Sequence, residues 1–170
     1  SIHPIYGYKW RARSSENVLE EIEYVIKRFG VEHIEFEDDN LTLKSERAMR
    51  IFEGIKKHSI TWSTPNGVRI DTLNYDMIKN MKASGCTSLC LAAEHGDPEM
   101  LKLMNKNLDL GKVVKVVEWC VELKIPTNVF NILGDKMKLE SLLYNLITNA
   151  TQKLETTGNI IIDTSYDSDN

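Results

Sequence analysis

The sequence lacks a long apolar run, an excess of positive charge and an even set of cysteines. No apolar run approaches the ~20 residues that a helix needs to cross a bilayer, and the opening SIHPIYGYKWRARS is too polar for a secretory signal. Lysine and arginine number 21 against 25 acidic residues, and the net charge is −4. Because phosphate binding needs a basic face, we expect no nucleic-acid partner, and we expect no membrane span.

The three cysteines, Cys86, Cys90 and Cys120, are an odd number in a chain of 170 residues. This count favours reduced thiols in a cytoplasmic setting over a disulfide framework. Cys86 and Cys90 have CxxxC spacing, but they lie within the apolar run GCTSLCLAAE, where packing explains a free cysteine better than a metal site does. We therefore assign no metal ligand and no catalytic residue from the sequence.

Helical and strand patterns alternate along the chain. The helical segments are SSENVLEEIEYVIKRFG, KSERAMRIFEGIKKH, LNYDMIKNMKASG, DPEMLKLMNK, LGKVVKVVEWCVELKI and KMKLESLLYNLITNATQKLE. The strand segments between them are VEHIEFED, SITWSTPNG, CTSLCLAAE, PTNVFNILG and GNIIIDTSY. This alternation predicts βαβ units. We expect an α/β fold of about five mostly parallel strands with covering helices, as an open sheet or part of a barrel.

Polar residues gather where the predicted strands end, in EDDN, TPNGVRID, EHGD and NILGD. In parallel α/β sheets, ligands bind beyond the carboxyl ends of the strands. Turn chemistry alone also favours Asn, Asp and Gly at such places. The first of these ends holds three acids in a row, which either bind a cation or polar ligand or remain solvated and cap the next helix.

Up to about Gly134 the chain resembles the radical S-adenosylmethionine (SAM) superfamily, and within it the group that often carries a cobalamin-binding domain. The resemblance is carried by SIHPIYGYKWRARS, IEFEDDNLTL, WSTPNGVRIDTL, MKASGCTSLCLAAEHGDPEMLKLMNK and IPTNVFNILG, in the family's order. It implies a partial (β/α)6 barrel. It also implies a [4Fe–4S] cluster that binds SAM, and reductive cleavage of SAM to a 5′-deoxyadenosyl radical.

The cluster motif of that family, CxxxCxxC in the loop after the first strand, is not in this sequence. In similar proteins SIHP directly follows the last of those cysteines. A cluster of this kind requires three closely spaced thiolates, a spacing that the three cysteines of this chain do not have. The first strand is missing too, which leaves a sheet edge that favours a homo-oligomer. We expect no cluster and no radical chemistry from this chain alone.

The resemblance also implies where SAM would bind. The polar end of the first predicted strand would face the ammonium of the methionine part, through Glu37, Asp38, Asp39 and Asn40. A small-molecule ligand of this kind is the partner that we expect.

Three further residues complete the SAM site that the resemblance implies. Asn66 and Arg69 would meet the carboxylate of SAM or a substrate, since arginine is the usual fork for a carboxylate. Glu94 would face the nucleoside. In this chain AAEHG stands where similar proteins often have Gly-Ile-Glu-Ser-Gly, so Ala92 and His95 depart from the family pattern.

After Gly134 the sequence resembles a second family, the ATP-binding domain of sensor histidine kinases at its N-box helix. Asn145 and Asn149 are four residues apart, so a helix would place them on one face. With Lys153, the resemblance implies weak Mg-ATP binding. The alternative is an amphipathic helix whose leucines pack on the sheet. Residues 1–134 and 135–170 would then form one domain, joined by natural recombination, by a misassembled reading frame or by design.

Three functions compete on this basis. The favoured one is a fragment or chimera of a radical SAM core that is inactive as written. The second is a recombined or engineered α/β scaffold without activity, and the third is Mg-ATP binding. SAM affinity separates the first two, and Mg²⁺-dependent ATP binding would indicate the third.

Overall fold

The computed structural model of the protein describes residues 10–38 and 40–131. Helices and strands alternate along these ranges, and none of the helices found there is long and apolar enough to cross a membrane. The elements are α1 (Ser15–Phe29), β1 (His33–Glu35), α2 (Ser45–Ile55), β2 (Thr61–Val68), α3 (Tyr75–Ala83), β3 (Cys86–Glu94), α4 (Pro98–Leu103), α5 (Leu110–Glu122) and β4 (Thr127–Asn131).

The four strands form one parallel sheet in the order β1-β2-β3-β4. Each strand therefore lies beside its predecessor in the chain, as successive strands of a (β/α) barrel do. The predicted α/β fold with a parallel sheet is confirmed. The predicted fifth strand GNIIIDTSY and the helix before it lie outside the described residues.

The core lies between the sheet and its helices. Trp62 of β2 is fully buried and stacks on Phe52 of α2, with the ring centroids 5.1 Å apart. Phe36 meets the same indole edge-on at 5.4 Å, and the indole N–H donates to the carbonyl of Ser84 at 3.0 Å. A large aromatic with a satisfied polar atom packs well in such a place. This contact fixes α2 against the sheet.

Side chains cap several helices at their amino ends. Ser14 accepts from the N–H of Asn17 before α1, Asn74 from Met77 before α3, and Asp109 from Gly111 before α5. Such caps satisfy N–H groups that have no partner inside the helix. Because each of these three helices leads into the start of a parallel strand, its amino end lies toward the side of the sheet where the strands end. Polar strand ends and helix starts therefore share one edge.

Candidate functional site

The first strand end holds the acids that the sequence singled out. Asp38 accepts from the backbone N–H of Asn40 at 2.8 Å, and its other oxygen lies 4.0 Å from a guanidinium nitrogen of Arg47. Glu37 is exposed, and no described side chain pairs with its carboxylate. Asp39 lies outside the described residues. Asp38 therefore organises the turn, whereas Glu37 presents a carboxylate to solvent at this edge.

The second strand end carries Asn66 and Arg69. The side-chain amide of Asn66 donates to the backbone carbonyl of Glu37 at 3.4 Å, which ties the ends of β1 and β2 together. Arg69 makes a fork with Asp71, with N–O distances of 3.0 and 2.5 Å. The Arg69 side chain holds the pKa of Asp71 below its usual value by hydrogen bonding. A ligand carboxylate would have to compete with Asp71 for this guanidinium.

The third strand ends at Glu94, whose carboxylate accepts from the ammonium of Lys106 at 2.6 Å. Glu94 has a φ of 67°, and the N–H of His95 donates to the carbonyl of Ala93 at 2.8 Å. A hydrogen bond across three residues with positive φ at the centre is a rare and strained turn. The pairing with β4 also shifts between Ala92 and Glu94. The chain therefore turns sharply at this strand end.

His95, directly after this turn, is only 4% exposed. Its Nδ1 lies 2.9 Å from the backbone N–H of Asp97 and must accept that hydrogen bond. A neutral imidazole that accepts at one nitrogen carries its proton on the other. The Nε2–H is buried without an acceptor among the described residues. This strand end therefore holds a buried hydrogen-bond donor without a described acceptor.

The structure thus places the polar ends of β1, β2 and β3 side by side. It links Glu37 and Asn66 directly, but it gives Asp38, Arg69 and Glu94 charged partners of their own chain. The sequence interpretation missed those partners and the buried donor of His95. The sequence could have predicted Asp71 as a partner, because it follows Arg69 by two residues. No local sequence feature indicated Lys106 as the partner of Glu94 or Arg47 as the partner of Asp38.

The three cysteines do not form a cluster site. Each is buried, and no group of three potential metal ligands occurs within the part of the chain that the structure describes. Burial raises the pKa of Cys86 to about 12 and that of Cys120 to about 11, and it raises the pKa of Cys90 as well. Iron–sulfur clusters bind thiolates, so these residues do not fit one.

Comparison with protein families decides the classification. The family profile of the radical SAM superfamily matches residues 3–143. The chain belongs to the radical SAM superfamily. The predicted resemblance to this superfamily is therefore confirmed, and the polar strand ends are those of a radical SAM domain.

Two curated relatives of this radical SAM chain are methyltransferases by name. An uncharacterised methyltransferase of Pyrococcus horikoshii is 33% identical over 113 residues, which are 66% of this chain and 25% of that protein. The cytidylyl-2-hydroxyethylphosphonate methyltransferase of Streptomyces wedmorensis is 27% identical over 130 residues, which are 76% of this chain and 24% of that protein. The chain thus spans about a quarter of the length of these relatives.

Two solved structures share the fold. The radical SAM methyltransferase TsrM from Kitasatospora setae, solved with cobalamin and a [4Fe–4S] cluster, matches with a TM-score of 0.69 at 15% identity, over 81% of this chain and 29% of that one. The cobalamin-dependent SAM radical enzyme OxsB, solved with aqua-cobalamin, matches with a TM-score of 0.66 at 18% identity, over 81% of this chain and 23% of that one.

The histidine kinase resemblance finds no support in these comparisons. The radical SAM match ends at residue 143 and so runs past Gly134 into the segment that the kinase interpretation had claimed. Mg-ATP binding is likewise unsupported. Its three proposed ligands, Asn145, Asn149 and Lys153, lie outside the described residues, as does Gly134. The division of the chain at Gly134 stays a prediction.

Proposed function

We propose that this chain forms the SAM-binding edge of a radical SAM methyltransferase, and that these 170 residues alone bind SAM without cleaving it. The observation that carries the proposal is the row of polar strand ends on three neighbouring parallel strands, represented by Glu37, Asn66 and Glu94. Ligands of parallel α/β sheets bind at this edge. Membership of the superfamily supports SAM as the ligand, and the names of the curated relatives support methyl transfer.

Each polar group has a role in this proposal. The exposed carboxylate of Glu37 accepts from the ammonium of SAM, with Asn40 nearby, while Asp38 holds the turn through Asn40 and Arg47. Carboxylate–ammonium hydrogen bonds are among the stronger ones in proteins. SAM, when bound, supplies an activated sulfonium.

The carboxylate and the nucleoside of SAM meet the other two strand ends. Asn66 and Arg69 face the carboxylate, with Asp71 as a competitor for the guanidinium. Glu94 accepts from the hydroxyl groups of the ribose, and the Nε2–H of His95 offers a donor at the same strand end. Buried donors gain most from a new acceptor, because an unpaired donor away from water is costly.

Cleavage needs a cluster that the cysteines of these residues do not fit. We expect no 5′-deoxyadenosine when the chain is supplied with iron, sulfide, a reductant and SAM under anaerobic conditions. Formation of this product would contradict the proposed inactivity. For the whole protein we propose cobalamin-dependent methyl transfer in the cytoplasm, with cobalamin suggested by its presence in the two solved neighbours.

Titration calorimetry of the chain with SAM and with 5′-methylthioadenosine, which lacks the amino-acid part, tests the site. We expect Glu37→Gln to lower the affinity for SAM by about tenfold and to leave the affinity for methylthioadenosine unchanged, because only SAM carries the ammonium. Glu94→Gln is expected to weaken both ligands. Glu32→Gln is the matched control, since Glu32 is an exposed carboxylate at the opposite end of β1.

Two outcomes would count against this assignment. Equal losses for Glu37→Gln and Glu32→Gln would mean that the strand end has no special role in binding. A folded chain that binds neither ligand would favour the scaffold without activity.

A further inference from the structure

A pocket of about 670 Å³ lies beside the strand-end edge, between the amino ends of α1 and α2. Ser15 and Ser45, the first residues of these two helices, both line it. Among the described residues, none of those assigned above to SAM lines this pocket. Its volume falls in the range of pockets that hold small molecules.

Positive charge dominates the lining of this pocket. The cationic side chains of the lining are Arg13, Lys44, Arg47 and Arg50, and the acidic ones are Glu16 and Glu46. Lys44 caps α2 without a side-chain hydrogen bond, so this cap residue supplies no side-chain acceptor for the first N–H groups of that helix. Guanidinium groups and helix amino ends both favour an anion with several oxygens.

Arg47 gives an observation that does not depend on the helix ends. Its side chain is only 13% exposed, and its Nε donates to the carbonyl of Arg13 at 2.7 Å. The second terminal nitrogen lies 4.0 Å from Asp38, but Nη1 is buried without an acceptor among the described residues. An unpaired buried donor on a charged group costs free energy. The guanidinium therefore contributes its charge to this wall of the pocket, and an acceptor would meet Nη1 only after a local shift of the side chain.

Apolar side chains complete the pocket. Trp10 and Leu43 line it and remain partly exposed, although most large apolar side chains of the described chain are buried. An inorganic ion would use only the charged wall. A molecule with both an anionic group and a ring would also cover the indole, and a cation next to an aromatic ring adds attraction.

We propose that this pocket binds a phosphorylated small molecule, with the phosphate between Arg47, Arg50 and Lys44 and a planar or apolar part against Trp10. The lining holds two more cations than carboxylates, although Arg13 also pairs with Glu21 and Arg47 lies near Asp38. The phosphate dianion would therefore pair chiefly with Lys44 and Arg50. This site does not depend on the proposed SAM site, and it assigns a second ligand to the same side of the domain.

Phenyl phosphate is the probe, with phenol and inorganic phosphate as the two part-molecules, titrated calorimetrically into the full 170-residue chain at low salt. We expect phenyl phosphate to bind more tightly than phosphate and phenol to give no saturable heat. Added sodium chloride should weaken the binding, because exposed charges are screened. Arg50→Gln and Lys44→Gln, both at exposed positions, should each lower the affinity for phenyl phosphate by about fivefold.

Lys79→Gln, at an exposed position of α3, removes the same charge outside the pocket and should leave the affinity unchanged. Circular dichroism of each variant checks the fold, and Arg47→Gln is left out because its side chain packs against the backbone. The proposal is overturned by absence of saturable binding, by equal affinity for phosphate and phenyl phosphate, or by an equal loss in Lys79→Gln.

The two proposed sites can fail separately. Glu37→Gln should weaken the binding of SAM and leave the affinity for phenyl phosphate unchanged. Arg50→Gln should weaken the binding of phenyl phosphate and leave the affinity for SAM unchanged. If both variants weaken both ligands, the pocket is part of the SAM site, and the proposal of a second ligand is wrong.

Discussion

At the end of β3, Glu94 combines a charged side chain with a backbone conformation that residues other than glycine seldom adopt. Its φ of 67° lies in the left-handed region, which costs an ordinary residue roughly 1–2 kcal/mol. Strain of this kind clusters at functional sites, where the surrounding structure maintains it. The contact of Glu94 with Lys106 is compatible with a charge held in place for a ligand.

Replacing Glu94 separates the backbone cost from the side-chain contact. We expect Glu94→Gly to be more stable than Glu94→Ala by about 0.5–1 kcal/mol, because both lose the ion pair with Lys106 but only glycine adopts positive φ without strain. Urea denaturation measures the difference. If the alanine variant is as stable as the glycine variant, the turn is not strained at this residue.

The buried thiols predict a dependence of stability on pH. In the unfolded chain the thiols ionise near pH 9, whereas in the folded chain burial keeps Cys120 and Cys86 protonated up to about pH 11 and 12. A pKa that is raised on folding gives stability that is present below the unfolded pKa and is lost as the pH rises. The free energy of unfolding should therefore fall between pH 9 and about 12.

The double variant Cys86→Ala with Cys120→Ala is the comparison for this pH dependence. It should show a smaller fall in the urea midpoint over the same pH range, because the two titrating thiols are gone. A fall of the same size in the variant and the parent chain would assign the pH dependence to other groups.

Among the elements, two helices of the described chain end near glycines with different surroundings. Gly30 follows α1 with a φ of 65°, and a Cβ built there would meet no atom within 4 Å. Gly85 follows the cap of α3 with a φ of 93°, and a Cβ there would lie 2.5 Å from the carbonyl oxygen of Ile60. At Gly85 the helix end therefore passes close to the backbone before β2.

Alanine at these two glycines should have unequal effects. Gly30→Ala should cost about 1 kcal/mol of stability, from the left-handed conformation alone. Gly85→Ala should cost roughly 1–3 kcal/mol more, because backbone must move to relieve the contact with Ile60. Urea denaturation of both variants gives the comparison, and equal losses would mean that the approach of the two segments is not tight.

At the scale of the whole molecule, the described sheet leaves the outer edge of β1 without a partner strand. The backbone carbonyl of Glu32 accepts from the N–H of Thr61, and the N–H of Phe36 donates to the carbonyl of Ser63. Every second residue from Glu32 to Phe36 therefore directs its backbone groups toward β2. The residues between them, His33 and Glu35, direct their backbone groups to the open edge. Such an edge can pair with another chain, although a strand of three residues offers only a short surface.

We expect the chain to self-associate weakly and reversibly through this edge. The sedimentation coefficient should rise with protein concentration. Glu35→Pro should reduce that rise, because it removes an outward N–H without touching the bonds to β2, whereas Glu35→Ala should not. A sedimentation coefficient independent of concentration in the parent chain would contradict this expectation.

The sequence by itself determined the order of helices and strands in the described ranges, because apolar periodicity and helix caps act over a few residues. The predicted strand CTSLCLAAE is β3, Cys86–Glu94, and the predicted helical segment SSENVLEEIEYVIKRFG contains α1, which ends one residue before Gly30. It also identified the radical SAM family, because its motifs extend over most of the chain. The kinase interpretation rested on one short segment, and that evidence was too local.

Only the tertiary structure decided the partners of the site residues. Lys106 reaches Glu94 from beyond α4, and Arg47 approaches Asp38 from α2. His95 is buried although it lies between the acids Glu94 and Asp97 in the sequence. These contacts join residues that no helical or strand period relates, so they depend on how the chain packs. The sequence therefore predicted which edge of the sheet is polar, whereas packing determined which of its charges are already paired.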